Sequence, residues 1–303
     1  MPNGDKNRTL SPELIDKIAR MELTARTAAD GLLAGMHRSN AKGFNVEFLE
    51  HRPYSPGDDI RHIDWKARAK SGKYFIKLRE EERNIQAHIV ADASASMDFG
   101  AGDSSNKWDR CALLASSVAY LLLKQGDAVG LSLAGGQAPV SRAEHRASRG
   151  QLHRLISILA AARPAGAASL AAELAASADL LKRRSFVIVF SDLLEPPEPV
   201  MESLRALRGR GNDATIFHIL SPEETDFPFA KAAKFIDPES GAFISADPSA
   251  VRAAYIKALS SFTRGYREFC ARMDIDYVSA PTSASPEETL LKYLESRGRR
   301  AGR

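Results

Sequence analysis

From residue 85 onward, short apolar runs alternate with segments of helical periodicity, and this alternation limits the fold more than any other feature. The runs AHIVAD, AVGLSLAG, SFVIVFSD, ATIFHIL and IDYVSA are each too short for helices and read as strands. SFVIVFSD is apolar almost without interruption, as a strand covered on both faces must be. Between them, Trp108, Cys111, Ala115, Val118 and Leu122 repeat at helical spacing over 107–125. Further helices are expected at 151–161, 170–181, 199–208 and 249–273, with a last one from Pro286. Strands alternating with helices predict an α/β fold, a mostly parallel sheet flanked by helices. KFIDPESGAFISAD breaks the alternation, and its Asp-Pro-Glu-Ser-Gly turn between two short apolar runs predicts an inserted β-hairpin.

The N-terminal quarter reads differently. Residues 1–10 are expected to be disordered. Ser11-Pro12-Glu13 is a helix start, with a hydroxyl cap, a proline in the first turn and an acid. Leu14, Ile18, Met21 and Ala25 continue an apolar face toward Leu32. Residues 35–80 are broken by Gly35, Gly43, Pro53, Pro56, Gly57 and Gly72, which predicts irregular structure and short strands such as those within VEFLEHRPY and YFIKLREEE. The expected organisation is an N-terminal tail and helix (1–34), an irregular segment (35–83), an α/β domain (84–296) with its hairpin at about 231–247, and a solvated basic tail (297–303).

Composition narrows the function classes. The 303 residues are 44% hydrophobic and 26% charged, as in an ordinary globular protein. No apolar run approaches the ~20 residues that span a bilayer. The N-terminus lacks the apolar core of a secretory signal, which predicts a cytoplasmic protein. Cys111 and Cys270 lie in helical patterns and form no CxxC, so buried free thiols are expected. The net charge is only +4. Arg38, Lys42, Lys66, Arg68, Lys70, Lys73 and Lys77 are interleaved with Glu47, Glu50, Asp58, Asp59 and Glu80–Glu82, which argues against nucleic acid as a partner. The tail arginines Arg297, Arg299, Arg300 and Arg303 allow at most a peripheral membrane contact.

The chemistry concentrates where AHIVAD ends. Asp92, Ser94 and Ser96 follow at every second position, and alternate residues of an extended or sharply turning chain project to one side. One carboxylate and two hydroxyls then converge at the C-terminal end of a strand, where open α/β sheets place their ligands. Three hard oxygen donors suit Mg²⁺ with part of its water shell, with Mn²⁺ or Ca²⁺ as alternatives. The bland reading is that these side chains only cap a turn and the next helix. No GxxxxGK[ST], HExxH or GxSxG occurs, and the seven histidines lack metal-ligand spacing, so a non-enzymatic protein is expected. His62, beside Asp64, is the one histidine to watch.

This Asp-x-Ser-x-Ser pattern resembles the metal-ion-dependent adhesion site of von Willebrand factor A (vWA) domains. Upstream, Arg52-x-Tyr54-x-Pro56-Gly57-Asp58-Asp59-x-Arg61-x-Ile63-Asp64-Trp65 closely resembles the signature of the DUF58 family, as do its spacing to Asp92 and the Asp-Pro-Glu-Ser-Gly hairpin. The likeness covers roughly residues 30–280. It implies a vWA-like, Rossmann-type fold behind a family-specific segment, and adaptor or assembly work with MoxR-type AAA+ ATPases and other vWA proteins. It implies no reaction. Asp192, after VIVF, matches the acid that a neighbouring strand contributes to the metal site. Where vWA domains carry a Gly-Gly-Thr-Asp type of loop, this chain has Gly166-Ala167-Ala168-Ser169, leaving only Ser169 as a substitute donor. Leu193 follows Asp192 where glycine is usual. These departures leave a weak, an altered or an empty site as the expectations. Within the upstream signature, Arg61 can pair with Asp58, Asp59 or Asp64, and Trp65 and Tyr54 can pack the segment on the sheet; the same charges and aromatics equally suit a docking surface. The alternative function is a metal-dependent phosphodiesterase or nuclease using Asp92 and Asp192. Serines as principal ligands speak against it, because two-metal hydrolysis needs more carboxylates.

Overall fold

A computed structural model describes residues 11–38, 50–54, 63, 65, 68, 74–78, 85–100 and 106–301. Helix α1 (Pro12–Arg38) starts at the expected proline and runs past the expected boundary at 34. Strands β1 (Glu50–Pro53) and β2 (Phe75–Leu78) pair antiparallel as a small separate sheet, so the irregular segment does hold short strands.

The main sheet follows. Strand β3 (Gln86–Asp92) leads into a 3₁₀ turn (Ala95–Asp98) and helix α2 (Lys107–Lys124). Next come β4 (Ala128–Ala134), β5 (Arg142–Arg146), α3 (Gln151–Ala161), α4 (Leu170–Leu180) and β6 (Phe186–Ser191). Helix α5 (Pro197–Gly209), β7 (Asp213–His218) and a short α6 (Pro222–Asp226) precede the hairpin of β8 (Ala233–Ile236) and β9 (Phe243–Ala246). Helix α7 (Pro248–Arg272), β10 (Asp276–Ser279) and α8 (Pro286–Ala301) complete the described chain.

The six-stranded sheet has the order β10-β7-β6-β3-β4-β5 and is parallel except for β5. Alternation along each strand feeds two cores. Ile89, Leu131, Ile188 and Phe217 pack under α1, α2, α3 and α8. Val90, Val187, Val189 and Ile216 pack under α4, α5 and α7. The predicted α/β fold, mostly parallel sheet and hairpin are all present. Two elements escape the sequence reading. β5 is an edge strand of Arg-Ala-Glu-His-Arg that buries only Ala143, so no apolar run marks it. α6 has only five residues, although Ser221 and Glu224 form a capping box that announces it.

Both cysteines are buried free thiols, as expected. Arg297, placed by sequence in a solvated tail, instead sits in α8 with its guanidinium 4.0 Å from the Phe186 ring centre. The helix carries it onto the sheet, where the long stem finds apolar surface. Among the described residues, no helix is long and apolar enough to cross a membrane.

Candidate functional site: the carboxylate–hydroxyl turn after strand β3

Strands β3 and β6 are central neighbours with Ala91 opposite Phe190, so Asp92 comes opposite Ser191 and Asp192 follows one residue later at the same C-terminal edge of the sheet. The turn after β3 is clamped by backbone bonds: Ala93 N–H to Ala134 O (2.8 Å), Ala95 N–H to Gly166 O (2.9 Å) and Ala165 N–H to Ala93 O (3.0 Å). Met97 fills the core below it.

The structure brings Asp92, Ser94 and Ser96 together. The Asp92 carboxylate accepts from Ser94 N–H at one oxygen (2.9 Å) and from the Ser191 hydroxyl at the other (2.6 Å). The first bond is the turn that the bland reading predicts. The serine hydroxyls do something else: they lie 2.9 Å from each other, and Ser94, although at the cap of the 3₁₀ turn, makes no side-chain bond to it. Burial, and then the charge of Asp192, pushes the Asp92 carboxyl up to about 6.

Asp192 has a partner that sequence reasoning missed. Its Oδ2 accepts from Lys107 Nζ at 2.7 Å, and Lys107 also donates to Glu224 Oε1 at 2.6 Å. The Lys107 side chain is fully buried. Burial alone lowers its affinity for a proton, but the charges of Asp192 and Glu224 outweigh that and hold the ammonium above its ordinary value. The other Asp192 oxygen accepts from Leu194 N–H at 3.2 Å. Behind it, His218 Nε2 lies 2.9 Å from the Asp192 carbonyl oxygen and Nδ1 meets the Tyr277 hydroxyl. A carbonyl cannot donate, so the proton is on Nε2. Burial holds this ring neutral down to about 4. Leu193, where glycine is usual, adopts the left-handed conformation a glycine would take (φ +59°) and is buried. Its N–H donates to Ser191 Oγ, which ties the strained turn to Asp92.

Ser169 caps α4, its hydroxyl accepting from Ala172 N–H at 3.1 Å. Glu195 joins it there, accepting from Ala171 N–H at 3.1 Å. A further carboxylate comes from the hairpin turn. Glu239 is half-buried, whereas Asp237, Pro238 and Ser240 around it are exposed. Partial burial and the charge of Asp192 raise its carboxyl, against hydrogen bonds from the Ser96 and Ser94 hydroxyls that lower it. The spacing within the hairpin gives no hint of this contact, which depends on how the insertion folds back.

Among the described residues no three His, Cys, Asp or Glu side chains converge as a metal-ligand group. The donor set is of mixed kind: one carboxylate and two hydroxyls at the turn. These are hard oxygens at a site rich in negative charge, and they fit a hard divalent cation. Asp192 and Ser169 already spend their oxygens on Lys107, Leu194 and the α4 cap.

In the upstream signature, Ile63 is buried, whereas Trp65 is 57% exposed and so does not pack the segment onto the sheet. Arg68 lies 5.5 Å from the Trp65 ring centre and 4.3 Å from that of Tyr74, and Tyr54 faces Tyr74 at 6.2 Å. Arg52 lies in β1. Gly57, Asp58, Asp59, Arg61, His62 and Asp64 lie outside the described residues.

Residues 50–263 match the protein family described as "Protein of unknown function DUF58". The uncharacterized protein Rv1480 of Mycobacterium tuberculosis is 28% identical over 296 residues, covering 96% of this chain and 92% of the relative. The uncharacterized protein Mb1516 of Mycobacterium bovis matches to the same extent. Among solved structures, BatB from Bacteroides thetaiotaomicron is 14% identical with a TM-score of 0.45, over 71% of this chain and 99% of BatB. The SpRpn10 VWA domain is 13% identical with a TM-score of 0.37, over 68% of this chain and 93% of that domain.

Proposed function

The chain belongs to the DUF58 family, and from that premise we propose that it works by binding other proteins and not by turning over a substrate. The partner expected from the family resemblance is a MoxR-type AAA+ ATPase, with other vWA proteins in the same assembly. In this reading the turn at Asp92, Ser94 and Ser96 is the contact point. Those three residues would hold Mg²⁺, which supplies a positive charge that an acidic side chain of the partner can ligate.

The observation that carries the reading is the serine pair. Two hydroxyls face each other at 2.9 Å beside a carboxylate, on the sheet edge where ligands bind, with no helix cap to satisfy. Asp192 favours the adaptor over the hydrolase. A two-metal hydrolase needs a second carboxylate free for a metal, and the Asp192 oxygens are bonded to Lys107 and Leu194.

The test is capture of a purified MoxR-type ATPase by wild type, Asp92→Asn and Ser94→Ala/Ser96→Ala, in Mg²⁺ and in EDTA. The expected result is capture by wild type in Mg²⁺ alone. Capture that survives EDTA and both variants removes the ion and moves the contact to the exposed Trp65–Arg68–Tyr74 surface. Metal-dependent cleavage of a phosphodiester by the purified chain, abolished in Asp92→Asn, would establish the hydrolase instead.

A further inference from the structure

Helix α2 buries two cations near its start, and the fold compensates only one of them. Lys107 lies between two carboxylates, Asp192 and Glu224. Arg110, three residues on, is 7% exposed, and its Nη2 donates to the carbonyl oxygens of Thr282 and Ala284, both neutral. Its Nε and Nη1 are buried without a hydrogen-bond partner among the described residues. Thr282 Oγ1, in a residue that supplies one of those carbonyls, is likewise buried and unpartnered. Of the five N–H donors of a guanidinium, the one on Nε and the two on Nη1 are therefore left over. An arginine does not shed its charge, and a buried charge needs a partner. Glu287, exposed in the first turn of α8, adds a favourable field but no ion pair.

We infer that Arg110 and Thr282 form a binding site for a phosphate group, which brings the counter-charge that the chain does not supply. The site lies past β10, at the C-terminal edge of the sheet, and uses none of Asp92, Ser94 or Ser96. It stands whether or not the acidic-partner reading above holds.

The donors approach from several sides. Arg110 brings the guanidinium from α2 and Thr282 a hydroxyl from the loop. Ala284, whose carbonyl Arg110 holds, leads into α8, where the first amides of a helix and its dipole favour negative charge. The oxygens of a tetrahedral phosphate can meet such donors together, whereas a carboxylate keeps its two oxygens in one plane. The loop over the site is thinly tied: Thr282 N–H donates to Leu220 O (2.9 Å) and Ala284 N–H to Pro281 O (3.1 Å), while Ser283 and Ser285 are exposed. Outward movement of the Ala284 carbonyl frees Nη2 beside Nη1, the pair of donors that a phosphate takes as a bidentate fork. Glu287 opposes the incoming anion and so limits its affinity.

Amide NMR shifts during titration with inorganic phosphate, in metal-free buffer at an ionic strength held constant with NaCl, test the site. In wild type the amides of Thr282, Ala284 and Glu287 should shift and saturate at millimolar phosphate. Acetate over the same range should not saturate them. Thr282→Val keeps the shape and removes one donor, so it should bind phosphate about 10-fold more weakly, the size of one hydrogen bond to a charged group. Without phosphate it should be at least as stable to urea as wild type, because its hydroxyl has no bond to lose. Arg110→Gln should show no saturable shift, and Glu287→Gln should bind several-fold more tightly. Shifts in wild type that stay linear, as loose ion screening gives, overturn the site, as does equal phosphate affinity in wild type and Thr282→Val. Saturation by acetate as tight as by phosphate assigns the donors to a carboxylate and overturns the phosphate reading. A Thr282→Val chain less stable than wild type without phosphate means that a trapped water already satisfies the hydroxyl, and overturns the free donor set.

Discussion

Lys107 carries the largest single electrostatic commitment at this site. Its ammonium is fully buried between Asp192 and Glu224, at 2.7 and 2.6 Å. Such an arrangement adds little net stability over apolar packing, but removing one partner strands the others. Lys107→Met should therefore cost about 3–5 kcal/mol by urea denaturation, because it leaves two carboxylates without their counter-charge. Adding Glu224→Gln should recover part of that loss, whereas simple additivity of the two changes would show that the ion pairs are not coupled. Lys107 stood in the sequence as the first residue of a helix and nothing more. Its role follows from α2 and α6 meeting above the edge of the sheet, a contact between residues 117 positions apart. Asp92, Ser94 and Ser96 were legible because two-residue spacing on a turning chain is local geometry. The bond from Ser191 to Asp92 was not, because it is made across the fold between residues 99 positions apart.

At the level of elements, the turn after β3 depends on the loop after β4. Gly136 has φ +75°, and a Cβ there would lie 2.6 Å from the Ala93 Cβ and 2.9 Å from the Ala93 carbonyl oxygen. Ala93 is backbone of the Asp-x-Ser-x-Ser turn itself, so there is no flexible side chain to give way. Gly136→Ala should lower stability by at least ~1–2 kcal/mol from the left-handed conformation alone, and should displace Ser94 and Ser96. A urea melt reads the first effect and loss of ATPase capture the second; a variant with wild-type stability would show that the two loops are not in contact. The strands of the main sheet were legible from their apolar runs, since burial on both faces demands them. β5 was not, because an edge strand with one buried residue can be written almost entirely in polar letters.

For the molecule as a whole, three buried groups contribute to the acid limb of stability in metal-free buffer. His88 sits between His145 Nε2 and Ser132 Oγ, each at 3.0 Å, and burial with the His145 charge lowers it from 6.5 to about 3. Burial lowers His218 from 6.5 to about 4. Asp92 moves the other way, from 3.8 to about 6. Each histidine withholds a proton that the unfolded chain takes up, so stability falls as pH drops below 6.5. Asp92 holds a proton that the unfolded chain releases, so its contribution is present at low pH and lost as pH rises from 3.8 through 6. Between pH 4 and 6 the two histidines outweigh the one carboxyl by one proton, and stability should rise with pH by about 1.4 kcal/mol per unit from these groups. His88→Gln should flatten that slope, as read from urea melts at pH 4.5 and 6; an unchanged slope would mean that His88 titrates normally. The sequence by itself determined the α/β class, the strand–helix order, the hairpin and the convergence of Asp92 with two serines, because periodicity and short-range turn geometry act within a few residues. Only the tertiary structure decided that Asp192 faces a buried lysine, that His88 meets His145, and that Ser191 reaches Asp92. Those contacts join residues tens of positions apart, and their energies come from desolvation and charge, which exist only once the elements have packed.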